Sequence, residues 1–140
     1  MIDVSTWMLA ACLLVGCSSA PTAPDPVSVS GTWEATFEGV VQGAGTTQHD
    51  DFTMELTQSG TAVSGVLRFG FESVEAPITE GRINGTLLTY SAVVLLGPKC
   101  EARVDAEVTV NASATRLEGS QTQSTCEGTA VGWVTATKQQ

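Results

Sequence analysis

From Gly31 onward, apolar and polar residues alternate with a period of two, and the helical period is absent. Trp33, Ala35 and Phe37 alternate with Glu34, Thr36 and Glu38, and Phe52, Met54 and Leu56 alternate with Thr53, Glu55 and Thr57. Val63, Gly65, Leu67 and Phe69 form a third such series, which Val66 interrupts. The clearest runs over 102–110, with Ala102, Val104, Ala106, Val108 and Val110 on one face and Arg103, Asp105, Glu107 and Thr109 on the other. Alternation of this kind gives a strand one dry face and one wet face, as in antiparallel sheets. Eight strands are expected, at about 31–38, 51–58, 62–70, 74–79, 82–95, 101–110, 115–122 and 127–137. Pro77 lacks a ladder donor, so the fourth should be short, bulged or irregular. The fifth contains LLTYSAVVLL, apolar on both faces, and its register is not legible from the pattern.

A weak internal repeat supports a chain of hairpins. Val63-Ser64-Gly65, Ile83-Asn84-Gly85 and Leu117-Glu118-Gly119 are expected to open the third, fifth and seventh strands. In an up-and-down meander these openings share one end, together with Trp33. The longer connections, 39–50, 70–73, 96–100 and 122–126, then fall at the other end, which should be rich in loops. The expected architecture is all-β: an eight-stranded antiparallel up-and-down barrel over residues 31–140.

What precedes the meander is different in kind. Trp7 to Gly16 is an apolar run too short to span a bilayer and suited to the core of an export signal. It ends in Leu14-Val15-Gly16-Cys17, followed by Ser18 and Ser19, which resembles the lipobox of bacterial lipoproteins. The resemblance implies cleavage before Cys17 and a lipidated Cys17 thiol. It also implies a place in the bacterial cell envelope, lipid-anchored, at the outer membrane facing the periplasm or the cell surface. Leu9-Ala10-Ala11-Cys12 is a second match, but it leaves only a stub of apolar sequence ahead of it. Residues 1–6 depart from the pattern, carrying Asp3 and no Lys or Arg, so the signal is atypical or its start lies upstream. A buried helix ending in a free Cys is the competing reading. Residues 17–30, with Pro21, Pro24 and Pro26 among small polar residues, read as an extended tether between anchor and barrel.

Composition narrows the partners. The chain has 6 Lys+Arg against 15 Asp+Glu and a formal net charge of −9. Such a surface repels phosphates, so nucleic acid is excluded as an expected partner, and the membrane is reached through the lipid rather than through charge. The acids form a solvated surface or, less commonly, present themselves to a basic partner.

Gly31-Thr32-Trp33 at the first strand resembles the Gly-x-Trp signature of lipocalin and avidin-like barrels. In lipocalins a basic residue near the last strand packs on that Trp, and Lys138 stands in the corresponding part of this chain. Avidin-like proteins surround biotin with several Trp residues and polar groups that have no counterpart here, so biotin binding is not implied. Two roles remain open: a protein-interaction or inhibitor-like module of the envelope, or a barrel for a small apolar ligand. Ala and Gly on the inner faces leave room inside, whereas Phe37, Phe52, Phe69 and Trp133 compete to fill it.

Candidate chemistry is sparse. With Cys17 lipidated and Cys12 in the signal, Cys100 and Cys126 remain, and in an exported domain two such thiols form a disulfide. Placed in the fifth-to-sixth and seventh-to-eighth connections, they would have to lean together over the seventh strand. A metal or a reactive thiol pair is the alternative. His49, with Asp50 and Asp51 beside it, is expected in a solvated acidic loop, and no spacing motif makes it a metal site. No nucleophile elbow, phosphate loop or Cys/His pair is present, so neither an enzyme nor a cofactor is expected and ligand-binding residues are unassigned. Replacing Cys17→Ala should leave the protein unprocessed and free of radioactive palmitate; labelling that persists would move the anchor to Cys12 or overturn the lipobox reading.

Overall fold

The computed structural model describes residues 25–70 and 74–140, so the expected export signal, Cys17 and the expected tether up to residue 24 lie outside the described residues. Eight strands follow one another around a closed antiparallel barrel: β1 (Gly31–Val41), β2 (Thr47–Ser59), β3 (Ala62–Phe69), β4 (Val74–Asn84), β5 (Leu87–Gly97), β6 (Cys100–Val110), β7 (Arg116–Thr125) and β8 (Gly128–Lys138). The sheet closes through β1 and β8, which pair from Trp33↔Lys138 to Val41↔Ala130. Alternation sets the inner wall: Trp33, Phe37, Met54, Leu67, Leu88, Leu117 and Val134 are all buried within one core. Phe52 and Phe69, paired across β2 and β3, stack with ring centroids 4.9 Å apart.

The end at which the chain enters, here the proximal end, is closed by the Trp33 corner. Trp33 Nε1 donates to the Val29 carbonyl at 2.9 Å, and Lys138 Nζ lies 5.8 Å from the ring centroid. Gly31 has φ +135°, and a Cβ there would stand 2.8 Å from Lys138 Cε. The glycine therefore leaves the space through which the lysine stem crosses to the indole. Residues Val27 to Ser30, expected as flexible tether, are instead docked. Val29 is fully buried, Val29 N donates to Gln58 Oε1, and Ser30 Oγ accepts from Gln58 N.

Three expectations are corrected. First, the two ends do not differ in loop length. The distal connections are 42–46, 98–99 and 126–127, besides the one from Phe69 to Val74, because β1, β2, β5 and β7 run further than their alternation shows. Second, Ile83 and Asn84 close β4 rather than open β5, so β4 is a long strand. Its irregularity is a bulge: the register with β5 slips between Ile78 and Glu80, just past Pro77. Third, Trp133 is on the outer wall and half-exposed, since Ala130, Val134 and Ala136 hold the inner positions of β8.

Cys100 and Cys126 form a disulfide with Cα atoms 5.2 Å apart. No lean across β7 is needed. Cys100 begins β6 and Cys126 follows β7, and these strands are direct neighbours, paired from Arg103↔Ser124 onward. The bond closes a loop with a sequence separation of 26 at the distal end. Replacing both cysteines with Ala should lower unfolding stability by about 3 kcal/mol, read by urea denaturation; an unchanged midpoint would mean the bond constrains nothing that the sheet does not already hold.

Candidate functional site at the distal end of the barrel

The inner positions change character along the barrel axis. Near Trp33 they are apolar; towards the distal hairpins β2 and β7 turn Gln48, Asp50, Gln121 and Gln123 inward, on the parity of Phe52 and Leu117. Tyr90 of β5 meets them, its hydroxyl donating to Gln121 Oε1 at 2.8 Å. Burial pushes the Tyr90 phenol well above its ordinary value, so it remains a donor. Gln48 Nε2 donates to Gln123 Oε1 at 2.8 Å and also to the Asp50 carboxylate. Gln121 Nε2 and Gln123 Nε2 are buried and have no acceptor among the described residues. Rotating the Gln121 amide by half a turn would satisfy the nitrogen at Tyr90 and orphan the oxygen instead.

Around this interior the rim carries exposed apolar side chains on β1 and β8 and, across the barrel, on β5. Leu95 is 71% exposed, Val40 48%, Val131 42% and Leu96 40%, and all four stand within a few residues of the distal hairpins. Trp133, 52% exposed, lies on the same wall as Val40 and Val131; of the large apolar side chains exposed among the described residues, Leu87 is the one at the proximal end. Glu38 pairs with Trp133 and Val40 with Val131 in the β1–β8 ladder. His49, expected in a loop, is on β2, with Nδ1 3.4 Å from Glu38 Oε1 and Nε2 3.4 Å from Asp51 Oδ1. Asp50, its neighbour, points the other way, into the barrel, so the three residues do not converge.

Several other charged groups form surface pairs. Arg68 bridges Glu55 and Glu75, which holds the Glu55 carboxyl below its ordinary value. Arg103 Nε donates to Asp105 Oδ2 at 2.8 Å and Ser91 Oγ to Oδ1 at 2.6 Å, and Arg103 chiefly keeps that carboxyl low. Asp105 lines a shallow outer groove of about 830 Å³ that crosses the β4 bulge at Thr79 and Glu80. Among the described residues no group of three His, Cys, Asp or Glu side chains is placed to hold a metal.

Neither a protein-family model nor a curated protein matches the chain. The fold and site therefore define its class by themselves: an eight-stranded up-and-down β-barrel whose apolar exposure is concentrated at one end.

Of the distal residues, sequence reasoning singled out Trp133, the cysteines, His49 with Asp50 and Asp51, and the doubly apolar run that contains Tyr90, Leu95 and Leu96, but not Gln48, Gln121, Gln123, Val40 or Val131. The signal was available for Gln48, Asp50, Gln121 and Gln123, whose parity follows from extending the alternation beyond its apolar members. The Tyr90–Gln121 pair supplies a test. Gln121→Leu alone orphans the Tyr90 hydroxyl and should cost about 1–3 kcal/mol, whereas adding Tyr90→Phe should recover most of the loss. Urea midpoints of the two single variants and the double variant check it, and purely additive losses would mean the pair is not coupled.

Proposed function

We propose that the chain is a bacterial envelope lipoprotein, anchored through Cys17, whose barrel docks onto or inhibits another protein with its distal end. The observation that carries this reading is the position of the exposed apolar side chains. Leu95, Leu96, Val40 and Val131 ring the end opposite the one where the tether enters, so a lipid anchor at Cys17 would leave them facing away from the membrane. Scattered apolar residues on a surface need no explanation, but their gathering at one end fits an interaction surface. The tether would add reach: residues 17–26, extended at roughly 3 Å each, span about 30 Å. The Gly31, Trp33 and Lys138 corner supports kinship with lipocalin and avidin-like barrels, whose Gly-x-Trp signature it matches residue by residue. The other reading, a small apolar ligand within the barrel, draws less support. The interior is packed with Trp33, Phe37, Phe52, Met54, Leu67 and Phe69, Phe37 reaching the level of Asp50, and Gln121 and Gln123 occupy inner positions nearer the distal end.

Photocrosslinking amino acids placed in living cells at Leu95, Leu96, Val40 and Val131 should capture one discrete protein. The same group at Leu87, Thr61 or Ala112, on the proximal end, should capture none. Capture from the proximal set alone would reverse the orientation and with it the proposal.

A further inference from the structure

We infer that the outer wall around Trp133 is a seat for a cationic side chain, a Lys or Arg, of the protein partner; this rests on the distal-docking reading above and names the chemistry it would recognise. Trp133 is 52% exposed at the centre of β8, in a ladder position directly opposite Glu38 of β1 and Ser120 of β7. Directly paired residues hold their Cβ atoms about 4.5–5.5 Å apart, so the indole and the Glu38 carboxylate emerge side by side. An indole face attracts a cation and an adjacent carboxylate neutralises it, the two contacts reinforcing each other on one guanidinium or ammonium. Val40 and Val131, one step nearer the rim, supply apolar surface for the stem of such a side chain.

The charge around the seat points the same way. β1 and β2 carry no Lys or Arg, and Lys138, the cation of β8, is at the proximal end over Trp33. Arg116 of β7 is also proximal and pairs with Glu118 at 3.5 Å. The basic group that faces Glu38 is His49, which it shares with Asp51; Asp51 also accepts from Thr36 Oγ1 at 2.8 Å. The distal half of this wall thus presents carboxylates without a lysine or arginine to balance them. A second copy of the chain is a poor occupant, because it would bring the same carboxylates and a net charge of −9 against this face.

The test uses the full-length lipidated protein in neutral detergent, with ¹⁵N-labelled Trp and hexalysine as the probe. The indole N–H signal of Trp133, identified by Trp133→Phe, should shift saturably with hexalysine and not with a Gly-Ser hexapeptide. The Trp33 signal, buried and bonded to the Val29 carbonyl, should stay in place. Glu38→Gln should weaken the apparent affinity roughly two- to fivefold. Glu80→Gln, the same change in net charge on the opposite side of the barrel, should leave it unaltered. Equal weakening by both variants, or a Trp133 signal that does not move, would overturn the seat. A Trp133 shift that depends on protein concentration without peptide would assign the face to a second copy and overturn it equally. None of these outcomes involves Leu95 or Leu96, so failure here and failure of distal docking are read separately.

Discussion

Closure of the sheet between β1 and β8 is the constraint from which the rest follows. Once Trp33↔Lys138 through Val41↔Ala130 are paired, no strand edge is left open, and each strand must give every second residue to a single enclosed volume. That volume is filled by aromatic and branched side chains at the proximal end. Glycine makes the fit possible where strands approach closely: a Cβ at Gly132 would stand 2.0 Å from the Glu38 carbonyl oxygen, and one at Gly39 would strike the Phe37 ring. The Trp33 corner then seals the closed end by a hydrogen bond to Val29 and a lysine laid over the indole.

The polarity of the interior runs along the axis, and this gradient separates the two ends by chemistry where loop length does not. Apolar contacts hold the proximal end, while the distal interior adds hydrogen bonds among Tyr90, Gln121, Gln123, Gln48 and Asp50 to apolar residues such as Phe37, Phe69 and Val104. Gln121 Nε2 and Gln123 Nε2 are buried there without an acceptor among the described residues. The disulfide is located at this same end, tying β6 to the β7–β8 turn. The tie joins the start of β6, next to Leu95 and Leu96 at the end of β5, to the end of β7.

The alternation of Trp33, Ala35 and Phe37, of Phe52, Met54 and Leu56, and of Val104, Val108 and Val110 determined by itself which residues face inward and how many strands there are, because the period of a strand is local. Cysteine arithmetic likewise determined the pairing of Cys100 with Cys126. How far each strand continues past its apolar residues, only the tertiary structure decided. Gln48, Asp50, Gln121 and Gln123 are polar yet inward, so strands β2 and β7 extended beyond their apolar residues and the long distal loops disappeared. Trp133 looked like core by its chemistry, but register with Glu38 and Ser120 turned it outward, and register is a relation between strands that no single strand contains. The gathering of Val40, Leu95, Leu96 and Val131 at one end is of the same kind. They are far apart along the chain, and closure of the barrel alone brings their strands' ends to a common rim.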